Sequence, residues 1–214
     1  WSGRMKYENS KDGFFTEFVG SSDDCVYGMY NNLSYVWGKN SKIKLVAFNK
    51  KSMQKMGEVA LKDNKDKARS KKLKGFSYIQ TNVLKDVVYV FWKRSTGSQT
   101  EIYVESFDAQ LTRTSKLKKV YSVKVPDSKK AKKGRKKRKK TYAGAPVVIL
   151  SGKEAGNTLL IGAELQYGKD QKIDFDYIVV DSELKEINSG KTTLPILRTG
   201  KSTGLSSVYQ YGHD

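Results

Sequence analysis

The sequence predicts an all-β chain assembled from repeated four-stranded units, and three observations predict it. Short runs of β-branched and aromatic residues recur, each stopped by an amide or acid and a polar turn: residues 43–48 before Asn49, 102–107 before Asp108, and 175–180 before Asp181. Such a stop is a strand-to-turn signal, because Asn and Asp side chains hydrogen-bond the turn backbone and tolerate its conformation. The spacing is regular. Asn49 to Asp108 is 59 positions and Asp108 to Asp181 is 73, or 61 once the basic run at 129–140 is set aside, and a fixed period of this order points to a repeat architecture. Finally, no apolar stripe of helical period reaches a useful length; residues 53–61 come nearest, and Gly57 interrupts them.

Taken in order, residues 1–13 form an N-terminal segment in which Trp1, Met5 and Tyr7 suggest the remnant of a closing strand. The first unit, 14–61, has expected strands at 14–19, 25–30, 43–48 and 57–61. Its first hairpin closes through Gly20-Ser21-Ser22-Asp23-Asp24, and Asn31-Asn32 offers a tight turn. A polar linker at 62–75 leads to the second unit, 76–125, with strands at 76–80, 87–92, 102–107 and 117–125. A basic insertion of disordered type, 126–145, precedes the third unit at 146–197, whose strands are 146–150, 158–163, 175–180 and 192–196. Ser95-Thr96-Gly97-Ser98 and Gly168-Lys169-Asp170 occupy the same hairpin in the second and third units. Residues 198–214 read as a linker and, at 207–211, the opening strand of a further unit.

Four antiparallel strands per unit, repeated along the chain, is the arrangement of a propeller blade. In period and strand order, over nearly its whole length, the chain resembles β-propeller repeat proteins in the broad sense. It has neither the Gly-His and Trp-Asp spacing of WD40 repeats nor the double glycine of kelch repeats, and no Ser-x-Asp-x-Gly-x-Thr-Trp box. In style it is similar to propellers of secreted or envelope-associated bacterial proteins. The resemblance implies three blades plus the first strand of a fourth. That makes the chain part of a larger propeller, since closed ones have about 4–8 blades, and the opening Trp1 in place of Met suits a processed leader or a larger parent. It also implies a periplasmic or envelope-associated location, with the cytosol and nucleus as alternatives. The competing fold is a β-sandwich or barrel, which short, evenly spaced strands also suit.

The charge is concentrated. Of the net +19, ten cations fall between 129 and 140: Lys129, Lys130, Lys132, Lys133, Arg135, Lys136, Lys137, Arg138, Lys139 and Lys140. Such a run repels itself and cannot pack, so the plain expectation is a solvated loop between the second and third units. As a site it would bind polyanions, with an acidic protein or an anionic surface as partner. Nucleic acid is less favoured, because single-strand binding adds stacking rings to the charge. Tyr142 alone flanks the run, whereas Tyr89, Phe91, Trp92 and Tyr103 stand at core spacing on expected strands.

Catalysis has little to work with. The one histidine, His213, is the next-to-last residue of the sequence, and a single histidine at such a place removes histidine triads and multi-histidine metal sites. Cys25 is the single cysteine, so an intrachain disulfide and a cysteine-based zinc site are excluded, and a buried thiol is expected. Asp23/Asp24 reads as a turn, Asp174 and Asp176 as the solvent face of a strand, and Gly200-Lys201-Ser202 lacks the upstream glycine of a phosphate-binding loop. No apolar run approaches the ~20 residues of a membrane-spanning helix. The expectation is a non-catalytic propeller scaffold without metal or cofactor, bound to other subunits. The alternatives are a propeller glycosidase or lyase acting on acidic polysaccharide, or an RNA-associated propeller.

Overall fold

A computed structural model of the protein describes residues 14–32, 42–62, 66–96, 99–124, 147–152, 158–167 and 172–195. They form twelve strands and one short helix. The first sheet holds β1 (Phe14–Ser21), β2 (Cys25–Asn32), β3 (Lys42–Asn49) and β4 (Lys55–Lys62), after which comes α1 (Lys67–Lys72). The second holds β5 (Phe76–Leu84), β6 (Val87–Thr96), β7 (Gln99–Phe107) and β8 (Lys118–Lys124). The third holds β9 (Val147–Gly152), β10 (Thr158–Tyr167), β11 (Lys172–Val180) and β12 (Glu186–Pro195). In all three sheets neighbours in space are neighbours in sequence, so each is a four-stranded antiparallel meander. The chain is all-β, as its residue pattern predicts.

Two local expectations are corrected. Asn31-Asn32 is not a turn: both residues lie in β2, where Asn31 pairs with Phe14 on one side and Ile43 on the other, and Asn32 with Lys42. A ladder on β3 that continues to Lys42 satisfies the Asn backbone better than a reversal there would. The linker at 62–75 carries α1, a helix too short for a visible apolar stripe. Asp66 caps it by accepting a hydrogen bond from the Arg69 N–H at 2.9 Å, which replaces one of the partners that a helix start lacks. The N-terminal segment, the basic run, the hairpin at 168–170 and the strand expected at 207–211 lie outside the described residues.

The chain divides into two compact units, Trp1–Trp92 with Val104–Lys118, and Lys93–Tyr103 with Lys119–Asp214. In the first, Tyr27, Leu45, Leu61 and Phe107 are buried, and Val88, Tyr89, Val90, Phe91 and Trp92 are buried consecutively along β6. Side chains alternate across a strand, so that run means both faces of β6 are covered. Tyr89, Phe91 and Trp92 are therefore core rings, as their spacing predicts. In the second unit Leu159, Ile161, Ala163, Phe175 and Val180 are buried. The Phe175 ring covers Gly162, where any β-carbon would collide with it. Each fully buried side chain of Leu or Phe size contributes roughly 1.5–3 kcal/mol.

Candidate functional site

In a meander the first and third turns emerge at the same end of the sheet. Within the first unit the β1–β2, β3–β4, β5–β6 and β7–β8 turns contribute the lining of a cleft of about 450 Å³: Ser22 and Asp24, Asn49, Asp86, and Asp108 to Gln110, with Cys25 and Met56. Close packing holds these turns. The backbone N–H of Lys50 donates to the Asp24 carbonyl at 2.8 Å, and Lys50 Nζ donates to the Ser22 carbonyl at 3.2 Å. Gly57 on β4 lies against the Gln110 carbonyl so closely that a β-carbon there would collide with the backbone.

Tyr27 ties the cleft together from below. Its hydroxyl lies 3.2 Å from both Ser22 Oγ and the Ala109 carbonyl, joining the first turn to the one that follows β7. Burial pushes this phenol up to about 12, with the Ser22 hydrogen bond opposing the rise. Ser22 Oγ accepts from Tyr27 and from the Cys25 N–H. The rim offers the exposed carboxylates of Asp24 and Asp86. Chemically, the cleft presents acceptors and suits a donor-bearing, positively charged group.

A second cluster lies on the same unit around Glu105, which is 2% exposed near the C-terminal end of β7. Glu105 Oε1 accepts from Arg69 at 2.6 Å and from the Trp92 indole N–H at 3.0 Å, and Oε2 pairs with Arg113 Nε at 3.2 Å. Arg69 also donates its Nε–H to the Leu61 carbonyl at 2.6 Å, and Arg113 lies over the Phe107 ring. One carboxylate thus joins α1, β6, β7 and the segment after β7. A buried charge needs this many partners, since an uncompensated one costs several kcal/mol.

The residues singled out from sequence fare unevenly. The basic run, His213 and Gly200-Lys201-Ser202 lie outside the described residues. Asp23 and Asp24 are exposed in the β1–β2 turn, as expected, and Cys25 is buried. Asp174 is exposed on β11 and accepts from the Thr193 hydroxyl at 2.9 Å. Asp176 departs from the expected solvent face: its side chain is 15% exposed, accepts from the Tyr121 hydroxyl at 2.6 Å, and lies 3.3 Å from Lys191 Nζ. Burial and this carboxylate both hold the Tyr121 phenol well above its ordinary range.

Sequence reasoning missed both the cleft and the Glu105 cluster. A signal for the latter existed, because a lone Glu inside the apolar run of β7 is rarely buried unless paired. Among the described residues no three His, Cys, Asp or Glu side chains are placed to hold a metal ion, and no helix is long and apolar enough to cross a membrane. Compared with protein-family models, with curated proteins and with solved structures, the chain matches none.

Proposed function

We propose that the protein is a non-catalytic interaction subunit of the β-propeller type, in which the three meanders are blades and the basic run at 129–140 meets an acidic partner or anionic surface. The observation that carries this reading is the identical placement of one turn in all three sheets. Each third strand runs into Asn49, Asp108 or Asp181, at its last residue or the next, and the Oδ1 of that residue accepts two backbone N–H groups of the turn that follows. Sheets built to one plan and joined in series are what a blade repeat requires. The cleft beside two of these turns adds a concave surface suited to holding a ligand.

The test is deletion of residues 129–140 followed by recovery of bound partners at low and at physiological salt. Loss of partners at both salt concentrations is expected, and unchanged recovery removes the run from the interface. Turnover of an acidic polysaccharide by the same protein would replace the scaffold reading with the enzymatic one.

A further inference from the structure

A second basic surface lies on α1 and its C-terminal extension, among the described residues. Lys67, Lys71, Lys72 and Lys74 are all exposed there, with no acidic residue in the first turn of the helix, and none of the four has a carboxylate partner among the described residues. The inward positions are Arg69 and Leu73, one helical turn apart. Arg69 is held by Glu105 and by the Leu61 carbonyl, and Leu73 is 4% exposed.

This arrangement runs against local preference. Six residues are too few for a stable isolated helix, and like charges four apart, as at Lys67 and Lys71, oppose it further. The Glu105 clamp on Arg69 therefore holds together a cluster of lysines that would otherwise disperse.

We propose that the outward side of α1 is a docking surface for an acidic polypeptide segment. Charge complementarity supplies the attraction, and shape limits the partner. The helix spans about 9 Å, the reach of roughly three residues of extended chain, so a short run of Asp and Glu covers it. Nucleic acid fits less well, because the nearby rings are engaged: Tyr78 meets Trp92 edge-on at 5.9 Å and bonds Thr81, and so offers no stacking platform. A bilayer fits less well too, because Leu73 is buried and α1 extends no large apolar side chain to anchor beside the charge. The surface is separate in sequence from the run at 129–140, and the proposal holds whether or not that run has a partner.

The test uses the full chain, an oligo-glutamate peptide and fluorescence anisotropy at low salt. In one variant Lys67, Lys71, Lys72 and Lys74 are changed together to Gln. In the control, Lys55, Lys119, Lys185 and Lys191, each already paired with a carboxylate, are changed to Gln, so net charge falls equally. The α1 variant is expected to lose about tenfold in affinity and the control less than about threefold, because paired charges offer little to a ligand. Equal losses overturn the proposal. So does tighter binding of the unaltered protein to phosphatidylserine vesicles or to a single-stranded oligonucleotide at matched anionic charge. Far-UV circular dichroism checks folding, and K71E/K74E serves as a second variant if the fourfold change unfolds; it must bind the peptide more weakly than K71Q/K74Q.

Discussion

Asp108 and Asp181 hold the same turn, hydrogen bond for hydrogen bond. The Asp108 N–H donates to the Thr112 carbonyl at 2.9 Å and its own carbonyl accepts from Leu111 at 3.0 Å, while Oδ1 takes the N–H groups of Gln110 and Thr112. Asp181 repeats this with Lys185, Leu184 and Glu183 at corresponding places. The third-from-start residue is left-handed in both, Leu111 at φ 66° and Leu184 at φ 62°. Asn49 makes the same turn one residue longer, with Met53 at φ 55°.

Two consequences can be measured at these acids. Asp108→Ala strips an acceptor from two N–H groups and should cost about 1–2 kcal/mol in urea unfolding, whereas Asp108→Asn should retain most of that, as Asn49 already does the same task. At Asp181 the Lys185 N–H, then the Glu183 N–H and the Lys185 charge, hold the carboxyl below its ordinary value. A lowered folded value means the stabilisation is present above the ordinary carboxylate range and is lost as pH falls through the depressed one. The protection factor of the Lys185 amide, the unstructured exchange rate divided by the observed rate at the same pH, should therefore fall in acid. Asp181→Asn should flatten that response.

The left-handed positions separate backbone strain from burial. A non-glycine residue there costs roughly 1–2 kcal/mol. Met53 is 50% exposed, so Met53→Gly loses little packing and should raise stability by about 0.5–1 kcal/mol. Leu111 is 4% exposed, and Leu111→Gly should lower stability by about 1–2 kcal/mol, because lost burial exceeds relieved strain. Thermal melts of the two variants should shift in opposite directions.

Removing Glu105 leaves the Arg69 guanidinium, 9% exposed, without its counter-charge, and leaves the Trp92 N–H without an acceptor. Glu105→Ala should cost about 3–5 kcal/mol, and Glu105→Gln less, since the amide oxygen still accepts. Hydrogen exchange should locate the loss: amides of α1 should lose more protection than those of β10 and β11.

Alkaline stability follows from the raised phenols, and Tyr27, Tyr78 and Tyr121 all contribute. Burial raises Tyr27 and Tyr78 each to about 12, above the ordinary 10.0. A raised folded value gives stability that is complete below the ordinary range and lost as pH rises through the folded one, so unfolding free energy should fall between about pH 10 and 12. Tyr27→Phe should shallow that slope while leaving the Tyr78 and Tyr121 contributions in place.

The three turns were legible in the sequence because their chemistry is local. The hydrogen bonds that close the turns at Asn49, Asp108 and Asp181 reach partners within five residues, and the flanking strands declare themselves by residue type, so the order of the described strands could be read directly. Tertiary structure decided the rest. Whether Asn31-Asn32 turned or continued in β2 depended on a ladder with β3, and α1 depended on a carboxylate 36 positions away from Arg69. The cleft depended on a hydroxyl and a carbonyl 82 positions apart, Tyr27 and Ala109. Residue spacing encodes contacts that close within a turn, whereas contacts across sheets exist only once hydrophobic burial has brought the strands together, and no local pattern records which distant group will arrive.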